Sequence, residues 1–204
     1  MVDIGCRCGA VRGVVGEPSL RKVNRVICYC DDCQAFAHHL GRAELLDAKG
    51  GSDIVPLAPA SLAFVQGYER IAGIRLSAKG VYRWYASCCH TPLGNTVGPA
   101  VPFVGLMTEA FGASPLPPDQ RLGEPIGAIL GQFAIGGPPP RSKGIRLSIL
   151  LRSILKLIGW RLRGRDWPHP FFDRSSRRPI YPVTVLSAEQ REALRPLCGP
   201  SPAR

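Results

Sequence analysis

Acidic residues are scarce in this chain: 15 Asp and Glu stand against 26 Lys and Arg, giving a formal net charge of +11. Between Arg141 and Arg165 there is no acid at all, while eight Lys or Arg occur, so much of the excess belongs to one segment. That balance points to an anionic partner without choosing among nucleic acid, a membrane surface and a small acidic ligand. Long uncharged apolar runs are also lacking. The most apolar stretch, Ser142 to Gly164, is interrupted by Arg146, Arg152, Lys156 and Arg161, which excludes a bilayer-spanning helix there. Met1-Val2-Asp3-Ile4-Gly5 has neither a basic n-region nor an apolar h-region, and predicts a cytoplasmic protein. With 45% hydrophobic and only 20% charged residues, the composition excludes a disordered chain. At 204 residues it allows one domain, or one domain with an appendage.

Cysteine, by contrast, is plentiful and clustered. Seven of the eight cysteines fall in the first 89 residues: Cys6 and Cys8, then Cys28, Cys30 and Cys33, then Cys88 and Cys89. In a reducing compartment such clusters bind metal or do redox chemistry more often than they form a disulfide framework. The triplet ends the apolar run Val23-Asn24-Arg25-Val26-Ile27. If that run is a strand, Cys28 and Cys30 share a face, and a turn at Asp31 and Asp32 swings Cys33 toward the same point. Three thiolates converging on one spot leave room for one more ligand, as a catalytic zinc requires and a structural zinc does not.

Around the cysteines the pattern is mainly β. Gly5 to Val15 reads as a hairpin turning at Gly9, with Cys6 and Cys8 on one face. Gln34 to Leu46 suits a short helix or two turns broken at Gly41, and residues 47–61 read as a loop. Leu62–Gln66 and Val81–Tyr85 have strand composition. Val101 to Phe111 fits a buried strand or a helix start, and Gly112 to Pro140 is mostly irregular with one short element at Ile126 to Phe133. Ser142 to Gly164 is the clearest helix, its Leu and Ile expected to pack on the β domain and its basic face to be solvated. Asp166 to Asp173 is aromatic and proline-rich, as a segment packed over the core would be. A last helix starts at the N-cap Ser187 and ends near Leu194. The expected organisation is a zinc-binding β domain over residues 1–111, a connection over 112–141, and a basic helix with extension over 142–204.

Three motifs, Gly5-Cys6-Arg7-Cys8-Gly9-Ala10-Val11-Arg12, Cys28-Tyr29-Cys30-Asp31-Asp32-Cys33 and Arg83-Trp84-Tyr85-Ala86-Ser87-Cys88-Cys89-His90-Thr91-Pro92-Leu93, occur in that order. Their order resembles the glutathione-dependent formaldehyde-activating enzyme family, which includes centromere protein V. The resemblance covers about the first half of the chain. It implies a mainly β, zinc-bearing fold of the β-tent or Mss4-like kind. It also implies a catalytic zinc on Cys28, Cys30 and Cys33, and a structural zinc to which Cys6, Cys8 and Cys89 contribute, hence one or two Zn2+ per chain. Two positions depart from the family pattern. Ala86 replaces the first cysteine of its C-x-x-C, and His90 replaces a glycine. The second site is then expected to take Cys88 as fourth ligand, to recruit His90, or to be empty, with the first option favoured.

The activity implied is a carbon–sulfur lyase acting on adducts of glutathione, or another thiol, with small aldehydes. Arg12, Arg25 and Arg83 are candidates for ligand carboxylates and His38, His39 or His90 for proton transfer, while Asp31 and Asp32 read as turn formers and Cys198 as a lone thiol. The alternative is a non-catalytic, zinc-stabilised binding module that attaches to anionic membrane or nucleic acid through its basic helix.

Overall fold

The computed structural model describes residues 1–16, 24–112 and 118–200. In chain order the strands are β1 (Val2–Gly5), β2 (Arg12–Val15), β3 (Val26–Cys28), β4 (Ser52–Leu57), β5 (Leu62–Gln66), β6 (Ile71–Arg75), β7 (Tyr82–Ala86), β8 (Thr91–Thr96), β9 (Val104–Met107), β10 (Ala128–Ile129) and β11 (Val183–Val185). Helices are α1 (Asp31–His39), α2 (Pro118–Leu122), α3 (Leu147–Leu162) and α4 (Ala188–Leu194). The protein is mostly β, with mixed sheets and few helices. No helix among the described residues is long and apolar enough to cross a membrane.

A small antiparallel sheet has the order β1-β2-β5, and a large one runs β10-β3-β4-β9-β8-β7-β6-β11. Within the large sheet only the two edge strands are parallel to their neighbours, β10 to β3 and β11 to β6. Those edges come from the later parts of the chain, so residues before 112 and after 142 share one sheet. The principal core lies over β7, where Trp84 is fully buried. Its ring stacks on Phe171 with centroids 4.6 Å apart, and its indole N–H donates to Thr96 Oγ1 at 2.9 Å. Gly73 pairs with Trp84 across the strands, and a Cβ there would stand 2.8 Å from the indole ring. Phe171 and Phe172 thus bring the segment after α3 onto the core, as its aromatic content implied.

The hairpin at the N-terminus, β5, β7 and the capped last helix follow the sequence reading. At α4 the Ser187 hydroxyl accepts from Gln190 N and the Gln190 side chain returns to Ser187 N, a capping box. The span from Val101 to Phe111 contains β9 followed by a helical turn at Thr108–Phe111. Four expectations are corrected. Residues 47–61 hold β4, whose Ile54, Val55 and Leu57 are buried; β3 pairs only with Ser52 to Ile54, so Pro56 faces no β3 residue. The first helix starts at Asp31 rather than Gln34, which puts Cys33 inside it. The predicted strand from Val23 begins at Val26, with Val23 outside the described residues. The helix at 142–164 is narrower, Leu147–Leu162, and turns a different face inward.

Candidate functional site

Two groups of cysteines form, and each gathers its sulfurs within 4.8 Å of one another. All eight cysteines are free. The first group is Cys6, Cys8, Cys88 and Cys89. It is built from two turns rather than from strand alternation. After β1 the chain turns through Gly9, whose φ of +77° is one glycine adopts without strain, and Gly9 N donates to Cys6 O at 2.9 Å. Strand β7 ends at Ala86, so Cys88 and Cys89 sit on the turn before β8 and both thiols reach the group. Sulfur separations are 3.5 Å for Cys6 to Cys8, 3.8 Å for Cys6 to Cys88 and 3.4 Å for Cys8 to Cys88. Cys88 thus stands with Cys6, Cys8 and Cys89 in one group, where Ala86 offers no thiol.

His90 lies outside this group. Its backbone takes the left-handed φ of +54°, the conformation a glycine would take, and its Nδ1 lies 3.1 Å from Leu40 O. Burial acts against ionisation of Cys89, yet the Thr91 hydroxyl, 3.1 Å away, and nearby backbone N–H groups outweigh it and draw the thiol down to about 6. Thr91 is fixed in turn by Arg7 N at 3.0 Å.

The second group is Cys28, Cys30 and Cys33. Cys28 closes β3, and Cys30 is the N-cap of α1, its Sγ accepting from Cys33 N at 3.3 Å. Cys33 then projects from the first turn of the helix, 3.9 Å from Cys28 Sγ. Two acidic residues, Asp31 and Asp32, occupy that same turn, where negative charge favours the helix end. They are helix starters rather than the turn the sequence suggested.

Arg83 faces these sulfurs from β7. Its side chain is 2% exposed; Nη1 lies 3.5 Å from Cys33 Sγ and 3.3 Å from Asn95 Oδ1, and Nη2 lies 3.6 Å from Asp32. Asn95 is its cross-strand partner on β8. Hydrogen bonds from Cys28 and Cys30 hold Cys33 well below the ordinary thiol range, with Arg83 adding to the effect against burial. Those same contacts, with burial, push Cys28 well up. Cys33 is thus the thiol of this group most disposed to ionise, and it faces one buried guanidinium. Soft sulfur donors suit zinc or another thiophilic ion in both groups. Either group could hold a metal ion.

The groups differ in what surrounds them. Cys28, Cys30 and Cys33 open on a cleft of about 600 Å³ whose walls include Val26, Ile54, Phe103, Ile129 and Ile149. No fourth His, Cys, Asp or Glu completes this group among the described residues. Of the three candidate arginines only Arg83 belongs here. Arg25 is buried in ion pairs with Asp53 and Asp119, each at 2.5 Å, and Arg12 donates to Gly9 O. His38 and His39 end α1, away from its cysteine-bearing start, and neither lines the cleft. Asn95 escaped sequence reading because nothing short of the strand register reveals what it faces. Cys198 stands apart from both groups, its Sγ donating to Leu194 O at 3.4 Å.

Among curated proteins none matches this chain. It is similar to a Rhodobacter sphaeroides protein whose crystal structure was determined as a Northeast Structural Genomics target. The identity is 16% and the TM-score 0.43, over 62% of this chain and 99% of that one. Residues 1–182 match the family of unknown function DUF6151, and the chain belongs to that family.

Proposed function

We propose that this protein is a divergent relative of the glutathione-dependent formaldehyde-activating enzymes with a β-tent, Mss4-like fold. In this reading it works in the cytoplasm and makes or breaks the carbon–sulfur bond of a thiol–aldehyde adduct. The observation that supports it is the three-cysteine group, open on a cleft and backed by the buried Arg83. Cys28, Cys30 and Cys33 would hold zinc, which when bound supplies a place for a fourth thiolate and keeps that sulfur ionised near neutral pH. Three thiolates give the site a formal charge of about −1 and a fourth about −2, so Arg83 is placed where countercharge is needed.

In the forming direction the thiol sulfur bonds to the aldehyde carbon as the carbonyl π pair moves to oxygen, and the thiol proton ends on that oxygen. The reverse breaks the same bond, and nothing is oxidised or reduced. Asp32, on the cleft wall and paired with Arg83, is the carboxylate in position to carry the proton. Asn95 fixes the guanidinium, and the apolar walls exclude water. Glutathione carries two carboxylates, whereas the cleft offers one buried cation, with Arg12 and Arg25 engaged elsewhere. The cleft therefore favours a thiol with a compact apolar body.

Zinc per chain tests the sites. The expected result is two in the wild type and one in each of Cys28→Ser and Cys6→Ser, and a wild type without zinc overturns the reading. Titration with butanethiol and with glutathione tests the chemistry: binding should vanish in Cys30→Ser at a cost of only about 1 kcal/mol in stability, because serine still caps α1. Thiol binding that survives Cys30→Ser places it elsewhere.

A further inference from the structure

Helix α3 is amphipathic, but it is mounted with the apolar side out. Leu147, Leu150, Leu151, Ile154, Leu155, Ile158 and Leu162 recur at three- and four-residue spacing, so they form one stripe. All seven are between 40% and 80% exposed. On the side turned to the body, Ile149 and Trp160 are buried, and Ser153, Lys156 and Leu157 are partly covered. By helical spacing Arg152 and Arg163 flank the stripe on one side and Arg146 on the other, while Arg161 falls within it near its C-terminal end. Arg161 also pairs with Asp166.

We propose that α3 lays this protein on an anionic lipid surface, with the stripe buried among acyl chains and the flanking cations at the headgroups. An apolar face bordered by long basic side chains fits the depth profile of a bilayer, since their stems bury while their charged ends reach the phosphates. Charge settles the choice of occupant. Residues 141–165 carry eight cations and no acid, so a second copy of this chain would bring like charges face to face. Nucleic acid would meet the cations but leave seven Leu and Ile in water. Ile145 and Leu150, both exposed, also line the cleft, so lipid contact would set the cleft mouth at the membrane surface.

Cosedimentation with vesicles tests this on the full chain at low salt. Equimolar phosphatidylcholine and phosphatidylglycerol should carry the protein down, and phosphatidylcholine alone should carry far less. Leu151→Gln with Leu155→Gln should weaken binding about tenfold or more, with thermal unfolding and zinc content unchanged because both side chains are exposed. Cys30→Ser should bind vesicles like the wild type, so the lipid contact stands or falls apart from the cysteine chemistry. The proposal is overturned if anionic vesicles leave the protein in solution, or if the double substitution binds them as well as the wild type. It is also overturned if a single-stranded oligonucleotide binds in their place, or if ultracentrifugation shows a dimer that the same substitutions dissociate.

Discussion

The two cysteine groups offer the same ligand atom in opposite settings. Cys6, Cys8, Cys88 and Cys89 clasp two turns together, with Cys8 and Cys88 exposed and four thiols to fill a tetrahedral ion. Cys28, Cys30 and Cys33 join the end of a strand to the start of a helix, are largely buried, and stop one ligand short beside a cleft. The turns are held by a few hydrogen bonds, Gly9 N to Cys6 O and Arg7 N to Thr91 Oγ1 among them, so a metal bound there would contribute to folding. A strand paired on both sides and a capped helix are held by backbone hydrogen bonds without help, so a metal at the second group would add little to the fold.

The largest expected effect separates the groups by stability. Cys6→Ser should lose its metal and destabilise the fold by on the order of 5 kcal/mol, whereas Cys30→Ser, which keeps the α1 cap, should lose its metal at a cost of about 1 kcal/mol. Denaturant unfolding with metal analysis of both variants checks this, and equal destabilisation would erase the distinction.

Next comes the buried guanidinium at the open group. Arg83→Met leaves Cys33 without its buried cation, and loss of one partner from such a pair costs about 3–5 kcal/mol. Metal affinity should fall at the three-cysteine group, by about 10–100-fold, and stay unchanged at the other. Competition with a chelator reads this directly. If both groups weaken together, Arg83 acts only through the core.

Neither Arg83's partner nor the outward stripe of α3 could be seen in the sequence, and the reason is the same for both. Spacing reveals which residues share a face, not what that face meets. Thus the cysteine motifs, the Leu62–Gln66 strand and the Ser187 cap were legible, because each depends on neighbours within a few residues. The Arg83–Asn95 pairing depends on the β7–β8 register, and β4 was hidden because a proline and its flanking residues have loop composition. Cys33 does join Cys28 and Cys30, but by a helix start rather than the turn that the sequence suggested.

Acid would strip thiolate-bound metal from both groups and blur their comparison, so the metal-independent part must be known. His169 is buried, its Nδ1 accepts from Phe171 N at 3.1 Å, and burial draws its pKa down to about 4. Because the folded value lies below the unfolded value of 6.5, this residue's contribution is complete above pH 6.5. It is lost as the pH falls toward and through about 4. The loss is about 3 kcal/mol at full extent, and His169→Gln should abolish it in chelator-treated protein.

The smallest effect bears on whether the four-cysteine group is closed by cysteine alone. His90 sits one residue after Cys89 in the left-handed conformation and bonds to Leu40 O. His90→Gly relieves about 1 kcal/mol of backbone strain and loses one hydrogen bond of about 1 kcal/mol, so stability should hardly change. His90→Ala keeps the strain and loses the bond, and should cost about 1 kcal/mol. Zinc content should be unchanged in both. A histidine that ligated the metal would instead make both variants lose it together, and the difference between a closed four-thiol group and an open three-thiol group would have to be redrawn.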